Sequence, residues 1–427
     1  MRKFLVILFI IPLTFLSAQK LIPVAEGWAG NSVNAVVFRK NSVVTYKNIQ
    51  FTAFYDAQGR LTLAKRRLGK PFSEIVTTPF TGNYKDAHNC ISIMVDGAGY
   101  LHVSWDHHGH PLRYARSVAP LSLQLTEKMP MTGLNESNVT YPEFHKLPNG
   151  NLIFMYRDGR SGRGNLVMNL YSTKTREWKQ LHASLIDGEN RQNAYWQACV
   201  DARGVIHVSW VWRSSPDVAS NHNMNYACSR DGGKTWEKST GEKYHLPIKE
   251  AEAEVALVIP QKSELINQTS MTTDEAGNPF IASYWRSNDS PVPQYRIIYK
   301  SAEKWISQSL NNRTTDFSLS GVGTKSIPVA RPQILVQGKG EKAIASLLFR
   351  DRERDSKVSM ATCSDLKTGK WIVGDLTDFS VGDWEPSFDT ELWKNKHQLN
   401  VFVQKVQQID GEGLSKVNPE MVYILEK

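Results

Sequence analysis

Cysteine is scarce in this sequence. There are four in 427 residues, Cys90, Cys199, Cys228 and Cys363, far apart, with no CxxC pair and no zinc-type spacing. That excludes a zinc ribbon and a dense disulfide framework. Cys90 and Cys199 lie in apolar, strand-like runs and read as buried free thiols, with one disulfide as the alternative. No dense Lys/Arg run is present, which argues against a nucleic-acid partner. No phosphate-cradling glycine loop, Ser-His-Asp order or metal-ligand run stands out. No cofactor or metal is therefore expected to be required. A structural calcium in a central channel stays open, although no compact acidic loop supports it. No long amphipathic helical pattern appears, which excludes a helical architecture.

Long apolar runs are also missing, with one exception. The segment MRKFLVILFIIPLTFLSAQK combines Arg2 and Lys3, an apolar stretch from Phe4 to Phe15 and small residues Ser17 and Ala18. This reads as a signal peptide over residues 1–18, with a periplasmic or secreted protein as the consequence. The run is short for a membrane span, and no cysteine follows for a lipid anchor. Formal charge is +9, or +7 once Arg2 and Lys3 are removed (9 − 2 = 7). A mildly basic exported chain suits an anionic glycan without demanding one.

What is abundant is the short β-type run. A polar turn with glycine followed by a strand recurs as YDAQGRLTLAKRRL from Tyr55, VDGAGYLHVSWD from Val95, LPNGNLIFMYRD from Leu147, VDARGVIHVSWVW from Val200 and TDEAGNPFIASYW from Thr273. VQGKGEKAIASLLFRD and LWKNKHQLNVFVQ are looser copies. The period is that of a four-stranded propeller blade. A second repeat, CSRDGGKTWEK from Cys228 to Lys238, has Asp-box form, with STKTREW, KSAEKW and CSDLKTGKW as eroded versions. Here Asp231 and the glycines should make the turn and Trp236 should pack between strands. The expected fold is all-β: one seven-bladed β-propeller over residues 19–427. Six or eight blades and a two-domain β-sandwich are the alternatives. A propeller places its site at the mouth of the central channel and, lacking an exposed edge, is expected to be a monomer.

Four polar residues have telling spacings. His88 and His108 bracket one strand–turn–strand unit, and Tyr141 and Arg157 bracket the next. Each pair can return to the same sheet end. Two imidazoles, a phenol and a guanidinium suit proton abstraction beside a carboxylate, which points to an acidic sugar. Each residue also has a bland reading. Tyr141 alone fits a core tyrosine, and Arg157 alone fits a surface pair with Asp158. His102 and His207 occupy the repeated HVSW position and read as blade packing. His107 is the substitute if the register at His108 is off by one, and His110 is a weaker loop candidate. Facing carboxylates would suit a glycosidase, but Asp86, Asp106, Glu143 and Asp158 form no recognisable pair.

The blocks DAHNCISI…GYLHVSWDHHGHPLRY, VTYPEF…FMYRDGRSGRGN and NAYWQACVDARGVIHVSW resemble exported BNR-type seven-bladed propellers. These are the ulvan lyases, the L-rhamnose-α-1,4-D-glucuronate lyases and a sister family of α-L-rhamnosidases. The resemblance implies a polysaccharide lyase that cleaves a rhamnose–glucuronate linkage by β-elimination and leaves an unsaturated uronate. It carries the lyases' His, His, Tyr and Arg onto His88, His108, Tyr141 and Arg157. Arg157 would neutralise the uronate, His108 and Tyr141 would move protons in an order left open, and His88 would position the uronate or share that work. Secondary candidates for the substrate are Arg213, Asn221, His222 and Asn223 in a long loop, Arg331 as a second carboxylate binder, and Trp196 and Gln197. Trp196 reads equally as core packing. Arg160 and Arg163 either touch substrate or solvate their loop. The rhamnosidases resemble one another in a first-blade histidine, where this sequence has Gln50. An endo-acting ulvan lyase, a hydrolase of the same bond and a non-catalytic glycan-binding propeller remain the alternatives.

Overall fold

Three of the repeated turns are one structure in one place. Asp96, Asp201 and Asp274 each accept hydrogen bonds from the backbone N–H groups two and four residues on, at 2.8–2.9 Å. Such Asx turns let a short polar side chain stand in for backbone pairing. The residue three after each aspartate is Gly99, Gly204 or Gly277, at φ 90°, 87° and 80°, which only glycine adopts without strain. All three turns join the first strand of a sheet to its second. Asp56 makes the same turn, accepting from Gln58 and Arg60 at 2.9 Å, but between the second and third strands of its sheet. The first copy of the repeat is therefore out of phase with the others.

The computed structural model describes residues 19–38 and 40–427; the expected leader, residues 1–18, lies outside the described residues. Seven antiparallel sheets follow in chain order and form a β-propeller. We number these blades 1 (residues 43–81), 2 (91–116), 3 (139–182), 4 (193–257), 5 (270–309), 6 (333–375) and 7 (387–426). First strands line the channel, and that of blade 2, Ile91–Val95, is among those buried over their whole length. Such strands read as continuous apolar runs instead of alternating ones. The outermost strand of blade 1, Glu74–Thr81, is mostly exposed and carries Pro79 and three threonines, which blunts its free edge. Trp105, Trp196, Trp210, Trp212, Trp236 and Trp384 are fully buried and fill the spaces between sheets.

The Asp-box lies between the third and fourth strands of blade 4, as its sequence implies. Asp231 accepts from the N–H groups of Lys234 and Thr235, and buried Trp236 donates to the Gly233 carbonyl at 3.1 Å. The eroded versions occupy the same connection in blades 3, 5 and 6. Cys199, Cys228 and Cys363 are free thiols, and Cys90 is buried. No helix among the described residues is long and apolar enough to cross a membrane.

Three departures from the simple repeat matter for the site. The ring closes through Lys20–Gly27, which pairs antiparallel with Glu420–Glu426 as the outer strand of blade 7. A short strand, His108–His110, leaves blade 2 and pairs with the first strand of blade 3, Val139–Lys146. No regular strand or helix lies between Ser309 and Gln333, so a long strap connects blades 5 and 6. A connection of that length in a compact fold is commonly functional.

Candidate functional site

The borrowed strand sets one row of the site. Thr140 lies opposite His108 on one side and opposite Arg157 on the other. His108 and Arg157 thus flank Tyr141 across three adjacent strands. Tyr141 itself sits at φ 58°, where the pairing register slips between Thr140 and Glu143. A bulky residue in the left-handed region is strained, and such strain gathers at functional sites. Arg157 can lie flat because its neighbour is Gly164: a Cβ there would fall 2.8 Å from the arginine Cγ.

One carboxylate organises the two imidazoles. Asp86 Oδ1 faces His88 Nδ1 at 2.9 Å, and Oδ2 faces His108 Nδ1 at 2.7 Å. The rings stack with centroids 4.0 Å apart and 15° between planes. Both Nε2 atoms therefore lie on the edges turned away from Asp86. His88 has further partners: Glu412 Oε1 at 3.1 Å and Thr324 Oγ1 at 3.4 Å. Glu412 also accepts from the N–H and hydroxyl of Thr324, in the strap, and from the Ala87 N–H. The strap is tied at its other side to Asp217 of blade 4, which accepts from the Gly321 N–H at 2.7 Å. His88, Tyr141 and Arg157 are buried at 7%, 5% and 3% exposure, whereas the His108 side chain is 36% exposed. His108 is the member of the quartet most open to solvent.

The shared carboxylate leaves the two rings in different states. Burial disfavours charge on His88, but its hydrogen bonds to Asp86 and Glu412 outweigh that and push it up to about 9. Burial lowers His108, Asp86 pulls the other way, and the charged His88 ring lowers it further; the net direction is down. Burial alone would raise Asp86, yet its two imidazole partners hold it well below the usual carboxylate range. Near neutral pH the site thus has a cationic ring beside a neutral one. The neutral ring keeps its proton on Nδ1 against Asp86 and offers a free Nε2.

Two tyrosines stand beside the histidines, and the second was not singled out from the sequence. Tyr141 packs against Phe38 at 4.7 Å and His88 at 5.9 Å between centroids, with the Arg157 guanidinium 5.0 Å from its ring centre. Burial raises its phenol, so it stays protonated. The Tyr195 hydroxyl accepts from Arg157 at 3.4 Å and Arg213 at 3.3 Å and shares a 2.9 Å hydrogen bond with Ser161. Burial pushes Tyr195 up, but the two guanidiniums overcome it and bring it to about 7. Tyr195 precedes Trp196 in NAYWQ; alternation along the strand is the signal that selects the wrong neighbour.

Several sequence-derived candidates do other work. Trp196 is buried and donates to Glu143 at 2.6 Å, the core-packing reading. Gln197 donates to Ser209 and faces the far end of the channel. Arg331 is already engaged: Glu385 takes it bidentately at 2.7 and 2.6 Å, so it has no free fork for a substrate carboxylate. His222 pairs with Glu250 at 3.1 Å. Asn223 closes a turn onto Ile259. Arg213 does join the site, held by Asn221 at 2.8 Å and by Asn267. His107 is buried and accepts from the Arg113 N–H at 2.7 Å, which removes it as a substitute for His108. His102 and His207 are blade packing, each bonded at 2.7 Å to a tyrosine hydroxyl, Tyr114 and Tyr226. Of the nearby carboxylates, Asp106 pairs with Arg113 and Asp158 accepts from Asn135, leaving Asp86 at the quartet. Gln50 is buried between Asp389 and Arg66.

Asp86, His88 and His108 also place three potential metal-ligand atoms within 4.8 Å of one another. Stacked rings direct their nitrogen lone pairs in parallel instead of toward one point, and each Nδ1 faces its own oxygen of Asp86. That arrangement suits proton sharing better than chelation.

A family model described as "BNR repeat-containing family member" matches residues 49–313. Among solved structures, one described as a polysaccharide lyase of the PL25 ulvan lyase family is similar at TM-score 0.70 and 14% identity, over 95% of each chain. The same enzyme type bound to -[GlcA(1-4)Rha3S]- gives TM-score 0.69 at 14% identity over 95% of each chain. The polysaccharide lyase Uly1 gives 0.66 at 16% identity, over 95% of this chain and 98% of the other. No curated protein matches the sequence.

Proposed function

The chain belongs to the BNR repeat-containing family, and from that premise and its site we propose that it is an exported polysaccharide lyase acting on an acidic glycan at a rhamnose–glucuronate linkage. The observation that carries the reading is the Asp86-anchored pair: a neutral, solvent-reachable imidazole stacked on a cationic one, beside a protonated phenol and two guanidiniums. A glycosidase needs two carboxylates across the bond; this site has imidazole and phenol in those places. The fold shared with ulvan lyases, one of them holding a GlcA(1-4)Rha3S unit, supports the choice of substrate, although fold alone does not assign chemistry.

In the proposed reaction Arg157 takes the uronate carboxylate, and the Arg213 guanidinium and the His88 imidazolium complete a positive surround. Neutralising that carboxylate makes the C5 proton acidic and stabilises the enolate-like charge that develops. His108 Nε2 removes the C5 proton, while Asp86 holds the other nitrogen in the required tautomer. The C5–H electron pair forms the C4=C5 double bond as the C4–O bond breaks. The departing oxygen takes its proton from Tyr141. In glucuronate the C5 proton and the C4 oxygen lie on one face, which fits a base and an acid on adjacent strands. The products are a 4,5-unsaturated uronate and a free hydroxyl.

The test is digestion of a rhamnose–glucuronate polysaccharide with ultraviolet detection of the conjugated uronate. Absorbance should rise in step with new chain ends and be lost in His108→Ala. Rhamnose release without absorbance would replace elimination by hydrolysis, and retained binding without any product would make the chain a lectin.

A further inference from the structure

The channel has a second end. Its far half holds a cavity of about 80 Å³. The walls come from residues 144–146 and 197–199, the later parts of first strands, from residues 270–272 at the start of the first strand of blade 5, and from the short helix Thr390–Lys396. The site described above uses the beginnings of the strands that carry 144–146 and 197–199, at Tyr141 and Tyr195. Residue pairs two apart divide between the ends: Phe38 touches Tyr141 while Lys40 lines the cavity, and Arg331 and Glu385 precede Gln333 and Ser387 of the cavity wall.

We propose that this cavity is a second binding site, for a small hydroxylated carboxylate of the uronic-acid class. Charge is the first reason. Three ammonium groups line it, Lys40, Lys146 and Lys394, against one carboxylate, Glu391, which pairs with Lys146 at 2.7 Å and Lys394 at 3.4 Å. Among the described residues no carboxylate is within ion-pair distance of Lys40, whose ammonium donates to the Thr269 carbonyl at 2.5 Å. Glu143 acts on Lys40 from behind the wall, where it is tied to Trp196; counting it still leaves an excess of positive charge. An incompletely compensated cation in a confined space favours an anion that supplies the missing charge.

Neutral hydrogen-bonding groups are the second reason. Asn41, Gln197, Ser270, Thr272 and Gln333 also line the cavity, with the Trp393 side chain at its helix wall. Amides and hydroxyls match sugar hydroxyls, and an aromatic face matches a pyranose ring. An inorganic anion would leave most of these groups unanswered, whereas a small hydroxylated acid can meet the ammonium groups with its carboxylate and the amides and hydroxyls with its own hydroxyls. The site goes beyond the proposed elimination and does not depend on it.

Lys40 supplies its own reporter. Burial, aided by Arg331 and opposed by Glu143 and Glu385, brings its ammonium down to about 8. At pH 8 it should therefore acylate faster than surface lysines. Acetic anhydride labelling read by mass spectrometry is run with glucuronate as probe and glucose as neutral control. Saturating glucuronate should slow Lys40 labelling at least about tenfold, glucose should not, and the protection should persist in Arg157→Ala. By calorimetry Lys40→Gln, or Lys146→Gln if the first fails to fold, should lose one glucuronate site. Unchanged Lys40 labelling under glucuronate, or protection that vanishes in Arg157→Ala, would overturn the proposal. The elimination reading stands or falls separately, on the ultraviolet product.

Discussion

Glu412→Gln isolates what separates the two stacked imidazoles. His88 and His108 share Asp86, but only His88 also faces Glu412, at 3.1 Å. Raising an imidazole from 6.5 to about 9 corresponds to about 3 kcal/mol in favour of its charged form. Asp86 and Glu412 supply this together against the cost of burial. Glutamine keeps the length and the acceptor for Thr324 but removes the charge. His88 should lose about tenfold in proton affinity, about 1.4 kcal/mol. The assay is NMR titration of ¹³C-labelled histidine rings, with Thr324→Val as a control that cuts the strap contact without touching charge. The sign for stability follows from the raised affinity. The contribution of His88 is fully present below pH 6.5 and is lost as pH climbs through about 9. Urea midpoints should therefore fall between about pH 6.5 and 9, and in Glu412→Gln the fall should be smaller and end at lower pH. An unchanged His88 titration in that variant would refute the reasoning, because it would mean that Asp86 alone sets the charge.

Gly164→Ala should keep the fold yet cut kcat/KM about 10–100-fold, because the new Cβ meets the Arg157 chain at 2.8 Å and a small misplacement at a reacting centre is costly; a normal circular dichroism spectrum with normal activity would contradict it. Tyr195→Phe should remove an ultraviolet phenolate signal that titrates near 7 in the free protein, checked by difference spectroscopy. Glu385→Ala should destabilise by about 3–5 kcal/mol, since it leaves buried Arg331 unpaired, while Arg331→Met/Glu385→Leu should recover most of that; equilibrium urea unfolding measures both.

Local chemistry was legible in the sequence and closure around the ring was not. The Asp-Gly turns and the Asp-box are complete within five to eight residues, so their aspartates, glycines and Trp236 state their own geometry. The quartet was legible because each pair brackets a hairpin, and a hairpin returns to where it started. Asp86 was visible only as one nearby carboxylate. Nothing local says that its two oxygens divide between rings 20 residues apart in sequence. Glu412 and Thr324 reach His88 from 324 and 236 residues away, across blades that adjoin only once the circle is complete. Arg331 was misread for the same reason: its carboxylate is the protein's own Glu385, 54 residues on. Trp196 follows its core-packing reading, and Gln197 shares a strand face with Tyr195 but lies two residues farther along, at the other end of the channel.

The pairing of Lys20–Gly27 with Glu420–Glu426 has a temporal consequence. A ribosome releases the first partner some four hundred residues before the second, so the seventh sheet cannot be completed until Glu420–Glu426 has emerged. Six blades are able to assemble in order behind it, each from neighbouring sequence, but the circle stays open until that last strand is free to pair. Contacts of such sequence separation are slow to form. Glu412, one of the two carboxylates that raise His88, lies in the last blade, between strands Asn400–Val403 and Glu420–Glu426. The nascent protein therefore carries an unfinished proton-transfer pair, and the event that locks the barrel shut is the same one that arms it.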